Sequence, residues 1–279
     1  MTNLGVPGTR TALIIFAAAL AAAGCARKGG ITTLKGADYF YGECQRHLET
    51  GRHLEAIEHC QRVVSNFPGS ALVADAQYAL AESYFGMEDY VSAVFEYQRL
   101  VDSYPSSEWA VRAQFQIGES YYKQMRRAEL DQTETYQALT SFRRFLDDNP
   151  GSALTDEAEA RIVTCRERLG EKEFLSARLY HRQGHLEAAR ITYDDVLKSY
   201  PDTRWYDEAR AQLGDLARRE GDLDEARRRW RAVLEVTEDQ RLRERLEGWL
   251  AELETPEDQL QVPADPLEPR EGPPEASEE

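Results

Sequence analysis

The feature that most constrains this chain is a marker pair, an alanine followed twelve residues later by a proline, which recurs along most of its length. The complete pairs are Ala56 with Pro68, Ala93 with Pro105, Ala138 with Pro150, and Ala189 with Pro201. Between Tyr90 and Tyr104 the apolar residues recur every three or four positions, as in an amphipathic helix. A single helical hairpin of this length cannot bury its apolar face, so the recurrence predicts a solenoid of stacked hairpins.

The repeat unit also predicts how the hairpins pack. The small alanine lets two helices approach, and an aromatic side chain four residues later fills the gap, as Tyr97 does after Ala93. Ala226 marks a fifth copy that lacks only the proline. The pattern resembles the tetratricopeptide repeat and predicts an all-α solenoid of five helical hairpins with a C-terminal capping helix. The hairpins are expected at approximately residues 37–68, 72–105, 108–150, 153–201 and 204–238, and with the capping helix they span residues 37–254.

The third and fourth repeats are longer than the others. The third carries a charged insertion, residues 123–134, which we expect to form a surface loop or a helix extension. The fourth contains a stretch, residues 155–183, that fits either one long helix or two helices around Gly170. The sequence leaves both interpretations open.

The N-terminal segment, residues 1–24, differs from the repeats. Arg10 is followed by an apolar run too short to span a bilayer, and the run ends in small residues directly before Cys25. This arrangement resembles a bacterial lipoprotein signal peptide, which implies cleavage before Cys25, acylation of that cysteine and a lipid-anchored linker, residues 25–36. The alternative is an ordinary secretory signal in which Cys25 is incidental. By the same resemblance, Ala26 after the cysteine directs the protein to the outer membrane.

The charge distribution excludes one class of partner. The chain has a formal net charge of −16, and nucleic-acid phosphates would repel it. The last segment, residues 255–279, has eight acidic residues against Arg270 alone, together with six of the eleven prolines. With few apolar groups to bury, this acidic tail is expected to be disordered.

The sequence offers no set of catalytic residues, so we expect neither an enzyme nor a cofactor. P-loop, HExxH and GxSxG motifs are absent. We expect no metal site either, because His53 and His59 do not share a helical face and the turn at Gly51 separates His47 from both.

Two cysteines of the first repeat allow a covalent link between its helices. Cys44 and Cys60 fall on facing helices at positions that pack together in this fold. They fit either a disulfide, which an exported protein can form, or two buried free thiols.

The first helices of repeats one to three predict a binding groove. Aromatic and polar residues recur on the side opposite the packing residues of each helix, on the face that becomes concave in such a superhelix. We expect this groove to bind an extended peptide through apolar anchors and hydrogen bonds. The alternative is that individual aromatics pack against the adjacent repeat. The groove residues are Tyr41, Asp75, Tyr78, Glu82, Phe85, Arg112, Phe115, Glu119 and Tyr122.

Taken together, the lipobox cysteine, short linker, five repeats, charged third insertion and lengthened fourth repeat resemble the BamD family of outer-membrane assembly lipoproteins. Phe67-Pro68, Tyr104-Pro105 and Tyr200-Pro201 give the family's typical repeat endings. The resemblance implies a non-enzymatic scaffold, anchored by lipid to the periplasmic face of the outer membrane. Its implied partners are the POTRA domains of the barrel insertase BamA, other lipoproteins of that machinery, and unfolded outer-membrane protein clients.

By this resemblance the clients bind the N-terminal repeats, and BamA binds the C-terminal ones. Candidate BamA contacts are the arginines Arg178, Arg182, Arg227, Arg228 and Arg229. The main alternative is a tetratricopeptide lipoprotein of another envelope system, acting as a pilotin for a secretin or as a cell-envelope adaptor.

Overall fold

The computed structural model describes residues 35–254, so the predicted signal peptide, Cys25 and the acidic tail lie outside the described residues. Within this range the chain forms eleven helices and no strand, which confirms the all-α fold class. The helices are α1 (Ala37–Glu49), α2 (His53–Asn66), α3 (Val73–Gly86), α4 (Tyr90–Ser103), α5 (Ala110–Lys123), α6 (Thr133–Asp148), α7 (Thr155–Arg182), α8 (Leu186–Ser199), α9 (Arg204–Arg219), α10 (Leu223–Leu234) and α11 (Gln240–Glu254). None of these helices combines the length and apolar character that crossing a lipid bilayer requires.

The helices pack in the order expected of a tetratricopeptide-repeat solenoid. Each helix contacts the next one along the chain, from α1 with α2 to α10 with α11. First helices of neighbouring hairpins also contact each other, as α1 does with α3, α5 with α7, and α7 with α9. Among the described helices, no two consecutive second helices pack together to the same extent. The first helices therefore form the inner side of the stack.

The marker alanines and the aromatic residues that follow them form the core. Ala93 and Tyr97 are both fully buried. Phe142 and Trp230, which occupy the position of Tyr97 in later repeats, lie against glycines of the preceding helix. A β-carbon at Gly118 would lie 2.8 Å from the ring of Phe142, and one at Gly214 would approach Trp230 still more closely. The glycines thus make room for the large aromatic side chains.

The fourth hairpin opens with one uninterrupted helix of 28 residues, α7, which decides between the two interpretations of this stretch. Gly170 lies within it, where a β-carbon would come 3.1 Å from Thr203 Oγ1, so the glycine permits close packing and does not break the helix. The insertion of the third repeat forms a loop between α5 and α6. Residues in the middle of α7 donate hydrogen bonds to this loop. Lys172 Nζ donates to the carbonyl oxygen of Glu129 at 3.2 Å.

The first hairpin contains a disulfide between Cys44 on α1 and Cys60 on α2, with the two Cα atoms 5.2 Å apart. The sequence allowed either a disulfide or two buried free thiols, and the structure contains the disulfide. Cys165 on α7 is a buried free thiol, and burial raises its pKa to about 12. This thiol therefore stays protonated at neutral pH and behaves as a small apolar side chain.

Candidate functional site

The central aromatics of the predicted groove lie inside the protein, which corrects their assignment as peptide anchors. Tyr78 is 7% exposed, and its ring stacks on Trp109 of the next repeat with centroids 4.5 Å apart. Phe115 is 5% exposed and meets the edge of Phe145 at 5.6 Å. The following repeat covers Tyr78 through Trp109, and the second helix of its own hairpin covers Phe115 through Phe145. A peptide cannot reach either ring while these helices stay packed.

The acidic residues of the predicted groove link neighbouring repeats. Asp75 accepts a hydrogen bond from Trp109 Nε1 at 2.6 Å. Glu82 accepts from the Tyr97 hydroxyl and, at 2.9 Å, from Gln116 Nε2. These hydrogen bonds tie α3 to α5, so Asp75 and Glu82 are not free to bind a peptide backbone.

Glu119 has the same role one repeat further on. It is 6% exposed and accepts hydrogen bonds from Arg161 Nε at 2.7 Å and Nη2 at 3.3 Å. The Arg161 guanidinium also lies over the ring of Tyr122, 4.7 Å from its centroid. The carboxylate of Glu119 raises the pKa of Arg161, as expected for a charge-assisted pair. This pair links α5 to α7.

The buried tyrosines are held in their neutral form. Burial raises the pKa of both Tyr78 and Tyr97, and the carboxylate of Glu82 raises them further. The phenols therefore keep their protons at any physiological pH, and the Tyr97 hydroxyl serves as a donor to Glu82. These two tyrosines therefore act as buried, neutral side chains of the core.

The remaining members of the predicted groove form a half-exposed rim. Tyr41, Phe85 and Tyr122 are partly buried, and Arg112 is exposed. The Tyr41 hydroxyl accepts a hydrogen bond from Gln45, and Phe85 meets the edge of Tyr90 at 5.2 Å. We call these four side chains the rim. Asp75 and Glu82 are partly exposed as well, but their carboxylates accept the hydrogen bonds described above.

A second surface, which the sequence analysis missed, has apolar side chains that are more exposed than those of the rim. Phe95 is 62% exposed and Val91 71% exposed on α4. With Tyr121, and with residues at the start of α6, they line an open groove of about 490 Å³. Three amide side chains, those of Gln98, Gln124 and Gln137, also line it. The sequence signal was the presence of two apolar residues on the otherwise polar face of α4. We call this surface the α4–α6 groove.

The five candidate arginines form two groups that differ in charge pairing. On α10, Arg227 pairs with Asp224 at 2.9 Å, and Arg228 and Arg229 each pair with Glu225 at 2.6 Å. On α7, Arg178 and Arg182 are exposed and have no ion-pair partner among the described residues. These two side chains, with Lys172, line a surface hollow of about 260 Å³. Of the five candidate arginines, the two without an ion-pair partner among the described residues therefore lie on α7.

The structure also brings together residues that the sequence analysis kept apart. His47 on α1 and His59 on α2 lie with ring centroids 5.3 Å apart, and Glu43 is next to them. His53 is separate from the pair and packs against Gly86. Helical periodicity relates only residues of one helix, whereas the hairpin places residues of its two helices side by side. Glu43, His47 and His59 are the described residues that could hold a metal ion.

A family model described as YfiO, outer membrane lipoprotein, matches residues 35–231, which include the predicted groove and both arginine groups. The chain belongs to this family. It is also similar to the outer membrane protein assembly factor BamD of Vibrio cholerae serotype O1, with 24% identity over 173 residues, 58% of this chain and 72% of that protein. The sequence-based resemblance to the BamD family is confirmed.

Solved structures similar to this YfiO-family chain include tetratricopeptide-repeat proteins. The TPR domain of P58(IPK) is 18% identical with a TM-score of 0.40 over 77% of this chain, which spans only 56% of that structure. The TPR2AB domain of yeast Sti1, solved in a complex with pHSP90, is 14% identical with a TM-score of 0.43, over 71% of this chain and 76% of that one.

Proposed function

We propose that this chain is a non-enzymatic scaffold lipoprotein that promotes the assembly of β-barrel proteins into the outer membrane. The observation that carries the proposal is the YfiO family match over residues 35–231, supported by the similarity to BamD. A stack of helical hairpins offers long faces for partners, and burial keeps the described tyrosines Tyr78 and Tyr97 and the thiol of Cys165 protonated. Lipid on Cys25 would hold the scaffold at the periplasmic face of the outer membrane.

The surface for the POTRA region of the barrel insertase is proposed on α7. Arg178 and Arg182 are the favoured contacts because their charges have no partner within the described chain. Arg227, Arg228 and Arg229 are poorer candidates, since each already pairs with an acid on its own helix. A new partner would have to compete with those pairs. Co-purification with the POTRA region tests this docking.

The client site is proposed in the α4–α6 groove. An unfolded β-barrel client supplies extended segments with alternating apolar side chains, and their backbone amides need hydrogen-bond partners. The groove offers apolar anchors through the exposed Val91 and Phe95. It offers hydrogen-bonding groups through the amide of Gln137 and through the amide oxygens of Gln98 and Gln124, whose Nε2 atoms already donate within the chain. The rim of Tyr41, Phe85, Arg112 and Tyr122 is the competing location.

One binding experiment separates these two locations. The affinity of a fluorescent peptide from the C-terminal strand of a porin is measured for the mature chain and three variants. Val91→Ser with Phe95→Ser is expected to weaken binding at least tenfold. Ile191→Ser, at a side chain that is 54% exposed on α8, is the matched control and should change nothing. Weaker binding in Arg112→Ala with Tyr122→Ala alone would move the client to the rim.

A further inference from the structure

The first hairpin brings three possible metal ligands within reach of one ion. Glu43 and His47 are one helical turn apart on α1, and His59 projects from α2 beside them. The Nε2 atom of His47 lies 3.7 Å from Glu43 Oε2, and one ligand atom from each of the three residues lies within 4.8 Å of the others. The two imidazole rings are almost parallel, at 6°.

The disulfide fixes the helices at this point. Cys44 directly follows Glu43, and Cys60 directly follows His59, so the bridge joins α1 to α2 next to the ligand residues. The Cα atoms of the two cysteines are 5.2 Å apart. A covalent link here keeps the ligands of both helices in register, which lowers the entropy cost of bringing them to an ion.

A cation already contacts two of the three side chains. The guanidinium of Arg46 donates a hydrogen bond to Glu43 Oε2, and its Nη2 atom lies 3.2 Å from His47 Nε2. Because a guanidinium only donates, His47 Nε2 must present its lone pair toward this position. That is the form of imidazole that binds a metal. The Arg46 side chain is 51% exposed, so it can swing into solvent and leave the position open.

From this geometry we propose that Glu43, His47 and His59 bind one divalent transition-metal ion of the zinc class. Two imidazoles and one carboxylate favour such an ion over Ca²⁺ or Mg²⁺, which prefer oxygen ligands alone. Ligand atoms around a tetrahedral zinc are roughly 3.3 Å apart, so the three side chains draw together when Arg46 leaves. Water would complete the coordination of such an ion. The proposal is independent of the proposed function.

The test is a zinc titration of the oxidised mature chain, purified without a polyhistidine tag and stripped of metal with a chelator. Calorimetry should give one site per chain. His59→Gln should weaken zinc binding at least tenfold, while His185→Gln, at an exposed histidine outside the cluster, should leave the affinity unchanged. Circular dichroism checks that each variant remains folded.

Arg46→Ala provides the sharper result, because it removes the competing cation at an exposed position. Zinc affinity should rise at least threefold in this variant, which a surface histidine site unrelated to Arg46 would not show. Co²⁺ should give a ligand-field absorption band that His59→Gln abolishes. Equal zinc affinity in the unmodified chain, His59→Gln and Arg46→Ala would overturn the proposal, as would the absence of a single stoichiometric site.

Discussion

The ring of Tyr78 on α3 stacks on the indole of Trp109 at the start of α5, with centroids 4.5 Å apart and ring planes at 16°. The same indole donates a hydrogen bond from Nε1 to Asp75. Two residues that the sequence offered as peptide contacts are thus joined to one tryptophan of the next repeat. On the inner side of the stack, repeats two and three are therefore packed directly against each other.

Truncation of the buried aromatics should therefore unfold the protein more easily. We expect Tyr78→Ala and Phe115→Ala each to lower the free energy of unfolding by about 3–5 kcal/mol, because each leaves a cavity in the core. Phe95→Ala, at an exposed aromatic, should cost less than about 0.5 kcal/mol. Urea denaturation followed by circular dichroism measures all three. Wild-type stability in Tyr78→Ala would mean that the ring is not part of the core.

The repeat architecture was predictable because its signals are local and recur. Ala93, Pro105 and Tyr97 mark helix contact, helix end and core filling within one unit, and the copies repeat those positions. The extent of α7 was not predictable, because Gly170 reads as a helix break until its packing against Thr203 is known.

The candidate site was less predictable than the fold. A helical pattern shows that Tyr78 and Leu80 lie on different faces, but both faces of an inner helix are covered in a solenoid. Whether a face is open depends on the neighbouring repeat, here on Trp109, which lies 31 positions away in the sequence. The pairing of His47 with His59 was missed for the same reason, since two helices supply it.

The stability of the protein should fall as the solution is acidified through the range where His181 titrates. His181 is 3% exposed, and burial lowers its pKa, with Arg219 and Arg218 adding to the effect while Asp215 and Gln212 oppose it. The unfolded chain therefore takes up a proton at about pH 6.5, before the folded chain does. Acidification below that pH should lower the free energy of unfolding.

His181→Gln should flatten this pH dependence by up to about one proton. Urea denaturation between pH 5 and pH 8 measures the slope. His185→Gln, at an exposed histidine, is the control and should keep the wild-type slope. An unchanged slope in His181→Gln would show that this imidazole is not held neutral by burial.

The disulfide should contribute measurably to stability. Cys44 and Cys60 are 16 residues apart in sequence, and closing a loop of that length restricts the unfolded chain by about 3 kcal/mol. Cys44→Ala with Cys60→Ala should lower the free energy of unfolding by about that amount. Cys165→Ala, which breaks no bridge, controls for thiol loss. If reduction of the bridge leaves the urea midpoint unchanged, this contribution is absent.

The proposed lipidation of Cys25 predicts where the protein is found in the cell. Cys25→Ser removes the thiol proposed to be acylated, so the variant should appear in the soluble periplasmic fraction, whereas the unaltered protein should fractionate with membranes. Fractionation is done after partner complexes have been stripped from the membranes. Retention of the Cys25→Ser protein on stripped membranes would contradict the lipid anchor.

Co-purification tests whether the chain is a scaffold of outer-membrane protein assembly. The chain from Ala26 onward is combined with the POTRA region of the barrel insertase from the same bacterium. We expect a stoichiometric complex that Arg178→Glu with Arg182→Glu disrupts. Arg52→Glu with Arg62→Glu, an equal charge change at two exposed arginines of the first hairpin, should leave it intact. Failure to form any complex would contradict the account and favour a pilotin or an envelope adaptor.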